Sequence, residues 1–213
     1  MGEGLNLTTD FEPLQAEPEA APEHPVAEIA TRYMRALDAL LGEVDLDALE
    51  RLVSILRAVR MRSRAVYVAG NGGSAATAAH WVNDLCKAAR RDGEPHLRAM
   101  SLADNGPWLT ALANDEGFER AFSGQLENFA VDGDALVVIS ASGNSPNLIQ
   151  AVELARSRGL TTAALLGFDG GKLLEMVDCA VWLRTPKGEY GLVESGHAVV
   201  CDIVATCLAQ GVG

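Results

Sequence analysis

Apolar residues along the chain alternate between short continuous runs and longer stretches with helical spacing. The short runs have the length of buried strands and lie at residues 65–69, 98–102, 135–139, 161–166 and 179–183. The helical stretches lie at residues 74–89, 106–129 (with a break), 146–158, 171–176 and 191–209. Because apolar strands separated by helices form parallel sheets covered on both faces, we predict an α/β protein. Its expected architecture is a three-layer, doubly wound parallel sheet of about five strands flanked by helices.

Two further amphipathic helices are predicted ahead of the first strand, over residues 27–62. Pro25 is suited to the start of a helix, and Asp45 is placed to cap the second one. Neither helix has a strand partner in the sequence, so we expect the pair to cover the sheet, another subunit or both. With the sheet they form a single predicted domain over residues 27–213.

Residues 1–26 differ from the rest of the chain, since they hold six carboxylates and four prolines but no Lys or Arg. Such a stretch buries too little apolar surface to offset the entropy lost on ordering. It is predicted to be a disordered acidic arm.

Composition limits the expected partners and compartment. The net charge of −12 repels phosphate backbones and anionic lipids, so neither nucleic acid nor a membrane is expected as a partner. Four cysteines without a CxxC pair are typical of reduced thiols in a cytoplasmic protein. No signal peptide or membrane span is expected, because no run approaches 18 apolar residues.

Two polar loops follow predicted strands and precede predicted helices, where ligands of such sheets bind. The first reads GNGGS over residues 70–74, and the second reads SASGNS over residues 140–145. Glycines such as Gly72 and Gly73 let the backbone approach a ligand, and free N–H groups at a helix start favour a phosphate. Either loop alone is also compatible with a plain strand-to-helix turn. Two of them predict a phosphate site built without Lys or Arg.

Two known phosphate motifs fit these loops poorly. The chain has no Gly-Lys-Ser/Thr, which excludes a P-loop. Gly70, Gly72 and Ala75 satisfy the G-x-G-x-x-A pattern of dinucleotide sites, but the nearest acidic candidate for the ribose, Asp104, lies too far along the chain. A nicotinamide enzyme is therefore the weaker alternative, and no nucleotide cofactor is expected.

Ionisable residues recur on the two helices nearest this site. His80 and Asp84 are four residues apart and share a helix face, while Asp202 lies inside an apolar helical run that also carries Glu194 and His197. The alternatives are that His80 packs on the sheet and that the carboxylates form a solvated stripe. His197 offers a second imidazole, but its helical angle points it away from Asp202.

Motifs along the whole folded part resemble one family. They are GNGGS with a His six residues after its Ser, SLADN, ANDEGF, ISASGNSPN, GFDGG and a closing helix opened by VES-x-H. Together they resemble the SIS (sugar isomerase) domain, and more narrowly the phosphoheptose isomerase group, over about residues 30–210.

The resemblance implies roles for the loop residues. Ser74, Ser140, Ser142 and Ser145 would hold the phosphate of a sugar phosphate. Asn71 and Asn144 would support the loops or bind sugar hydroxyls, and Asn114 with Asp115 would reach the sugar. It also implies a homotetramer with active sites between subunits, which would give the two N-terminal helices a partner.

The acid/base positions match the family only in part. In the enzymes that the chain resembles, the positions of Asp84, Glu194 and Asp202 hold Glu, Gln and His, and His80 is unchanged. The Glu and His act there as acid and base, and some members bind zinc with all four positions. The resemblance therefore implies catalytic roles for His80, Asp84, Glu194 and Asp202, and a divalent metal, zinc first, held by the same four.

The predicted function is that of an aldose–ketose isomerase. The expected substrate is sedoheptulose 7-phosphate, converted to D-glycero-D-manno-heptose 7-phosphate through an enediol by acid/base chemistry, with or without a metal. Two alternatives stay open. One is a non-catalytic SIS protein that binds sugar phosphates or acts as an adaptor, and the other is an isomerase of another phosphorylated sugar.

Overall fold

The structure is a computed structural model that describes residues 24–212. Residues 1–23 of the predicted acidic arm therefore lie outside the described residues. Five strands form one sheet: β1 Ala65–Gly70, β2 Arg98–Ser101, β3 Ala135–Ser140, β4 Thr161–Leu166 and β5 Cys179–Trp182. The α-helices are α1 Pro25–Gly42, α2 Leu46–Met61, α3 Gly73–Cys86, α4 Gly106–Asp115, α5 Ser123–Phe129, α6 Pro146–Ser157, α7 Leu173–Met176 and α8 Tyr190–Gln210.

All strand pairs are parallel, in the order β2-β1-β3-β4-β5. The chain therefore leaves β1 in one direction along the sheet and β3 in the other, and Gly70 at the end of β1 pairs with Ile139 near the end of β3. Such a switch point opens a crevice at the carboxyl ends of the two strands. Both polar loops start at this crevice.

Each face of the sheet carries its own apolar core. One core includes residues of α2, α3 and α8, with Trp81 fully buried, and the other includes residues of α5 and α6. The predicted three-layer α/β fold is confirmed. The interruption predicted in 106–129 is also present, because Gly117, with a φ of 100°, and a 3₁₀ turn at Phe118–Arg120 separate α4 from α5.

The two N-terminal helices differ in how they pack. Asp45 caps α2 by accepting from the backbone N–H groups of Asp47 and Ala48, and α2 lies on the sheet. Only Leu40 of α1 is buried, while Ile29 and Met34 are 56% and 62% exposed. Thus α2 covers the sheet, whereas α1 keeps an apolar face open to solvent.

The last helix, α8, is long and apolar enough by length and composition to cross a membrane. Its apolar residues nevertheless serve the core: Val193, Val200, Val204 and Leu208 are buried. Val200, Val204 and Leu208 pack with the sheet and α3, while Val193 packs with Ala141 and Phe168, and these contacts fix the side of α8 that faces the crevice.

Candidate active site

The loop after β1 brings the chain close to itself before α3 begins. Gly72 has a φ of 53°, and a Cβ at Gly70 would overlap the backbone of Ser74. Both positions therefore require glycine. The N-cap residue of α3, Gly72, supplies no side-chain cap to the first N–H groups of the helix, and Ser74 is buried there at 5% exposure. The positive end of the α3 dipole is thus directed into the crevice.

Hydrogen bonds within the second loop fix its shape. Ser140 Oγ accepts from the N–H of Gly143 (3.0 Å), and Ser142 Oγ accepts from the N–H of Asn144 (3.3 Å). The Asn144 amide donates to the carbonyl of Ser142 (2.8 Å) and accepts from the N–H of Lys172 (3.1 Å). Asn144 therefore braces the loop against the segment before α7. Ser145 precedes α6 and makes no side-chain cap, which leaves its hydroxyl available.

One side-chain pair links the two loops across the switch point. The amide groups of Asn71 and Asn147 exchange two hydrogen bonds, of 3.0 and 2.9 Å. Asn147 is 1% exposed, in the first turn of α6. Asn147 is not among the residues predicted from the sequence. The pair holds the start of α6 in fixed register with the loop that leads into α3.

The two loops and the start of α8 line a single pocket. Its polar lining consists of Asn71, Ser74, Ser140, Ser142, Ser145, Tyr190 and Glu194. No Lys, Arg or His belongs to this lining in the described part of the chain. Such a pocket offers hydroxyls and helix N-termini to an anion, and it places one carboxylate beside them.

Tyr190 is a pocket residue that was not predicted from the sequence. Its ring packs edge-on against Phe168, with ring centroids 5.0 Å apart, and it is 53% exposed at the first position of α8. The signal available in the sequence was its place at the start of a helix that follows β5. Because the carboxyl ends of parallel strands share one edge of the sheet, the start of that helix is expected to lie near the two loops.

The structure brings together three of the four residues predicted to hold a metal. His80 Nε2 lies 3.1 Å from Asp84 Oδ2, and the ligand atoms of His80, Asp84 and Asp202 all lie within 4.8 Å of one another. One imidazole and two carboxylates suit a divalent cation. The buried thiol of Cys201 lies near these groups: burial first, and then the charges of Asp202 and Asp84, raise its pKa above the usual range.

Glu194 does not belong to that group of three. It lies eight residues before Asp202, which is about 12 Å along α8. Its carboxylate instead lies against Gly73, where an added Cβ would overlap it. The structure thus places Glu194 at the start of α3, inside the serine-lined pocket.

Other predicted residues lie away from the pocket. His197 is 1% exposed, burial lowers its pKa to about 4, and neither ring nitrogen has a hydrogen-bond partner of normal geometry, so it is a neutral core residue. Asn114 and Asp115, at the end of α4, are exposed and hydrogen bond to each other (2.7 Å) outside the pocket lining.

Comparison with known proteins gives one consistent family. The family model described as SIS domain matches residues 32–167. Phosphoheptose isomerase of Trichlorobacter lovleyi is 43% identical over 144 residues (68% of this chain, 72% of the relative), and that of a Geobacter species is 38% identical over 176 residues (81% and 90%).

A solved structure extends the comparison to the three-dimensional fold. The phosphoheptose isomerase of Neisseria gonorrhoeae superposes with a TM-score of 0.78 at 30% identity, over 88% of this chain and 98% of that one. The family resemblance expected from the sequence motifs is confirmed, and the chain belongs to the SIS domain family.

Proposed function

We propose that the chain is a phosphosugar isomerase that converts sedoheptulose 7-phosphate to D-glycero-D-manno-heptose 7-phosphate. The observation that carries the proposal is the pairing of the serine-lined pocket with the His80–Asp84–Asp202 group on the same two helices, α3 and α8. This chain matches relatives named phosphoheptose isomerase over up to 90% of their length, which supports the same reaction.

In this proposal the phosphate binds in the pocket of the two loops. The hydroxyls of Ser74, Ser140, Ser142 and Ser145 and the free N–H groups at the starts of α3 and α6 bind its oxygens. Asn71 and Asn144 hold the loops in shape, as their hydrogen bonds indicate. Asn114 and Asp115 would reach the sugar only from a neighbouring subunit, because they lie outside the pocket of their own chain.

The length of the proposed substrate fits the spacing of the two groups. The carbonyl carbon of sedoheptulose 7-phosphate lies seven bonds from phosphorus, or about 8 Å in an extended chain at about 1.2 Å per bond. His80 follows Ser74 by six residues, which is about 9 Å along α3. A phosphate bound at the loops thus places the reacting carbons beside His80 and Asp84.

The isomerisation requires a base for the carbon-bound proton and an acid for the carbonyl oxygen. We assign these roles to Asp84 and Asp202, with His80 Nε2 3.1 Å from Asp84 Oδ2 and orienting that carboxylate. Glu194 is the carboxylate nearest the phosphate end, so its part in the reaction is binding the sugar chain. The order of the two proton transfers follows from which carboxylate starts protonated.

The same group of three fits a divalent metal, and zinc is the ion that the family resemblance implies. His80, Asp84 and Asp202 would be its ligands. When bound, such an ion would polarise the carbonyl oxygen of the sugar. Glu194, the fourth expected ligand, lines the serine-lined pocket and is not part of this group of three.

We further propose a cytoplasmic homotetramer built from residues 27–213 as one domain. The side chain of His80 is 69% exposed in the single chain, whereas proton transfer benefits from exclusion of water. The exposed apolar residues of α1 supply a surface for a neighbouring subunit. The four free cysteines support a reducing compartment.

A coupled assay with sedoheptulose 7-phosphate tests the function, on protein stripped of metal and on protein reloaded with zinc or manganese. We expect turnover in the wild type and a loss of at least about 100-fold in Asp84→Asn. Asp92→Asn, an exposed loop substitution with the same charge change, is the control. Absence of turnover under every loading, with sugar-phosphate binding intact, would contradict the proposal and favour another sugar or a binding module.

Metal content gives a second readout that does not depend on activity. Mass spectrometry of the purified protein is expected to find about one zinc ion per chain in the wild type and in Asp92→Asn, and much less in Asp202→Asn. Equal metal content in all three proteins would exclude the assigned ligand group while leaving the isomerase proposal standing.

A further inference from the structure

The three tyrosines of the chain differ in what their hydroxyl groups contact. Tyr33 Oη lies 2.8 Å from Ser195 Oγ, and the Tyr67 hydroxyl donates to the backbone carbonyl of Phe129 (2.9 Å). The hydroxyl of Tyr190 makes no hydrogen bond within the described residues, although Tyr190 lines the serine-lined pocket. A phenol that lines a pocket without a partner of its own is available to a ligand.

The position of Tyr190 on α8 places it on the wall of the pocket. It precedes Glu194 by four residues, so the two side chains share one face of the helix and lie one turn apart. Glu194 also lines the pocket, and its carboxylate lies beside Gly73 in the first turn of α3. This face of α8 is therefore one wall of the pocket, with Tyr190 at the end nearest the start of the helix.

The ring of Tyr190 is held by Phe168, which belongs to the GFDGG segment of residues 167–171. The two rings meet edge-on, with centroids 5.0 Å apart and an interplanar angle of 79°. Phe168 is buried, and it packs with Ala141, which lines the pocket, and with Val193 of α8. Because Phe168 contacts both the second loop and α8, it fixes the ring of Tyr190 relative to both.

The backbone of Phe168 has a conformation that bulky residues rarely adopt. Its φ is 44°, in the left-handed region. Its N–H donates to Thr185 Oγ1 (3.4 Å), and its carbonyl accepts from Trp182 Nε1 (3.1 Å). Strained residues persist where their neighbours enforce them, and they cluster at functional sites. A glycine would adopt this φ without strain, so the presence of Phe indicates a role for its ring.

A phosphate in this pocket depends on hydrogen-bond donors, because the lining holds no Lys, Arg or His in the described part of the chain. Ser140 and Ser142 accept bonds from N–H groups of their own loop, and each keeps its O–H to donate. The phenol of Tyr190 is a further O–H donor. Hydrogen bonds to charged acceptors are among the stronger ones in proteins, so one more donor changes the affinity measurably.

We propose that Tyr190 is a substrate-binding residue whose phenol donates a hydrogen bond to the phosphate group of the bound sugar, and that Phe168 is the positioning residue that holds its ring. The inference rests on the phosphate pocket of the proposed function, but it requires neither turnover nor a bound metal. It also gives the GFDGG segment a role, since Phe168 acts on the ligand through Tyr190.

Isothermal titration of the full chain with sedoheptulose 7-phosphate tests the phenol. Tyr190→Phe keeps the ring and its contact with Phe168 and removes the hydroxyl alone. We expect about tenfold weaker binding of the sugar phosphate, and a similar loss for inorganic phosphate in competition with it, because the missing partner is that of the phosphate. Tyr33→Phe is the matched control, since it removes a phenol that bonds to α8 outside the pocket lining; its affinity should stay within about twofold of wild type.

Phe168→Leu tests the positioning role in a double-mutant cycle. We expect about fivefold weaker sugar-phosphate binding from this change in the wild type. In Tyr190→Phe we expect no further loss, because the phenol that Phe168 positions is already absent. Phe129→Leu, which disrupts an edge-on pair with Trp108 (5.3 Å) outside the pocket lining, should leave the affinity unchanged. A thermal melt of each protein checks that it is folded.

Wild-type affinity in Tyr190→Phe would overturn the proposal, as would an equal loss in Tyr33→Phe. A loss seen with the sugar phosphate but not with inorganic phosphate would place the phenol on the sugar chain and overturn its assignment to the phosphate. Equal losses from Phe168→Leu in both backgrounds would show that Phe168 does not act through the phenol.

The outcome is separable from that of the proposed function. A wild type that turns over sedoheptulose 7-phosphate while Tyr190→Phe keeps its affinity would refute this inference alone. A wild type that binds the sugar phosphate without turnover, with the affinity lost in Tyr190→Phe, would contradict the isomerase and support the role of Tyr190.

Discussion

Replacing Asn147 by Ala should loosen the pocket although no residue that lines the pocket is replaced. The change removes both hydrogen bonds with Asn71. Each bond contributes roughly 1 kcal/mol net, so the expected loss of unfolding free energy is about 2 kcal/mol. For a domain of this size that corresponds to a fall in Tm of about 4–8 °C. The cavity left by the amide adds little, since Asn71 is half-buried and its own amide regains water.

The activity of Asn147→Ala is expected to change mainly through substrate binding. Asn71 lines the pocket, and without its partner the loop that carries Ser74 is no longer held against α6. We therefore expect KM for sedoheptulose 7-phosphate to rise by about tenfold, with a smaller change in kcat. Thermal melts and the coupled assay measure the two effects on the same preparations.

Asn128→Ala is the matched control. Asn128 is exposed and makes one bond of 3.3 Å to the carbonyl of Gly124, far from the two loops along the chain, so its removal should cost less than about 0.5 kcal/mol. If Asn147→Ala melts within 1–2 °C of the wild type, roughly the effect of the control, and keeps its KM, the amide pair does not hold the two loops together.

Three further changes follow from buried or strained positions. Burial lowers the pKa of His197 from 6.5 to about 4, so the stability that the neutral imidazole contributes is present above pH 6.5 and is lost as pH falls toward 4. Urea unfolding of the wild type should therefore show a loss of about 3 kcal/mol over this pH range that His197→Met does not show. Equal pH profiles of the two proteins would refute this. Arg60→Met removes bonds from a 2% exposed guanidinium to Glu94 and to two backbone carbonyls; we expect about 3 kcal/mol of destabilisation in chemical denaturation, whereas a change below 1 kcal/mol would show that these bonds contribute little. Gly143→Ala places a Cβ at a φ of 61° against the carbonyl of Gly170, and calorimetry should show an affinity for sugar phosphate that is lower by at least about tenfold. Gly42→Ala, whose Cβ would meet no neighbouring atom, should leave that affinity unchanged. Wild-type affinity in both variants would count against the loop geometry.

The elements of the fold could be predicted from the sequence because they depend on local patterns. Runs such as 135–139 are apolar at every position, which indicates a strand covered on both faces, and the structure places β3 at Ala135–Ser140. The cap at Asp45 and the break before Phe118 are equally local, since they depend on one side chain and one glycine. The two polar loops follow from the same patterns, because each falls between a strand and a helix.

Which residues face one another could not be read from these patterns. Glu194 and Asp202 share α8, yet one lies against Gly73 and the other beside His80, because α8 packs along α3 and presents each turn to a different part of it. Residue spacing along one helix gives an angle, but the neighbour at that angle depends on the docking of the second helix. The Asn71–Asn147 pair likewise joins residues 76 positions apart.

The sequence by itself determined the order of the elements, the position of the two polar loops and the family, because these depend on hydrophobic periodicity and on short motifs. The tertiary structure alone decided that His197 is buried and neutral and that the Glu194 carboxylate lies beside Gly73 inside the serine-lined pocket. Burial and charge environment are properties of packed neighbours from distant parts of the chain, and a linear pattern does not contain them.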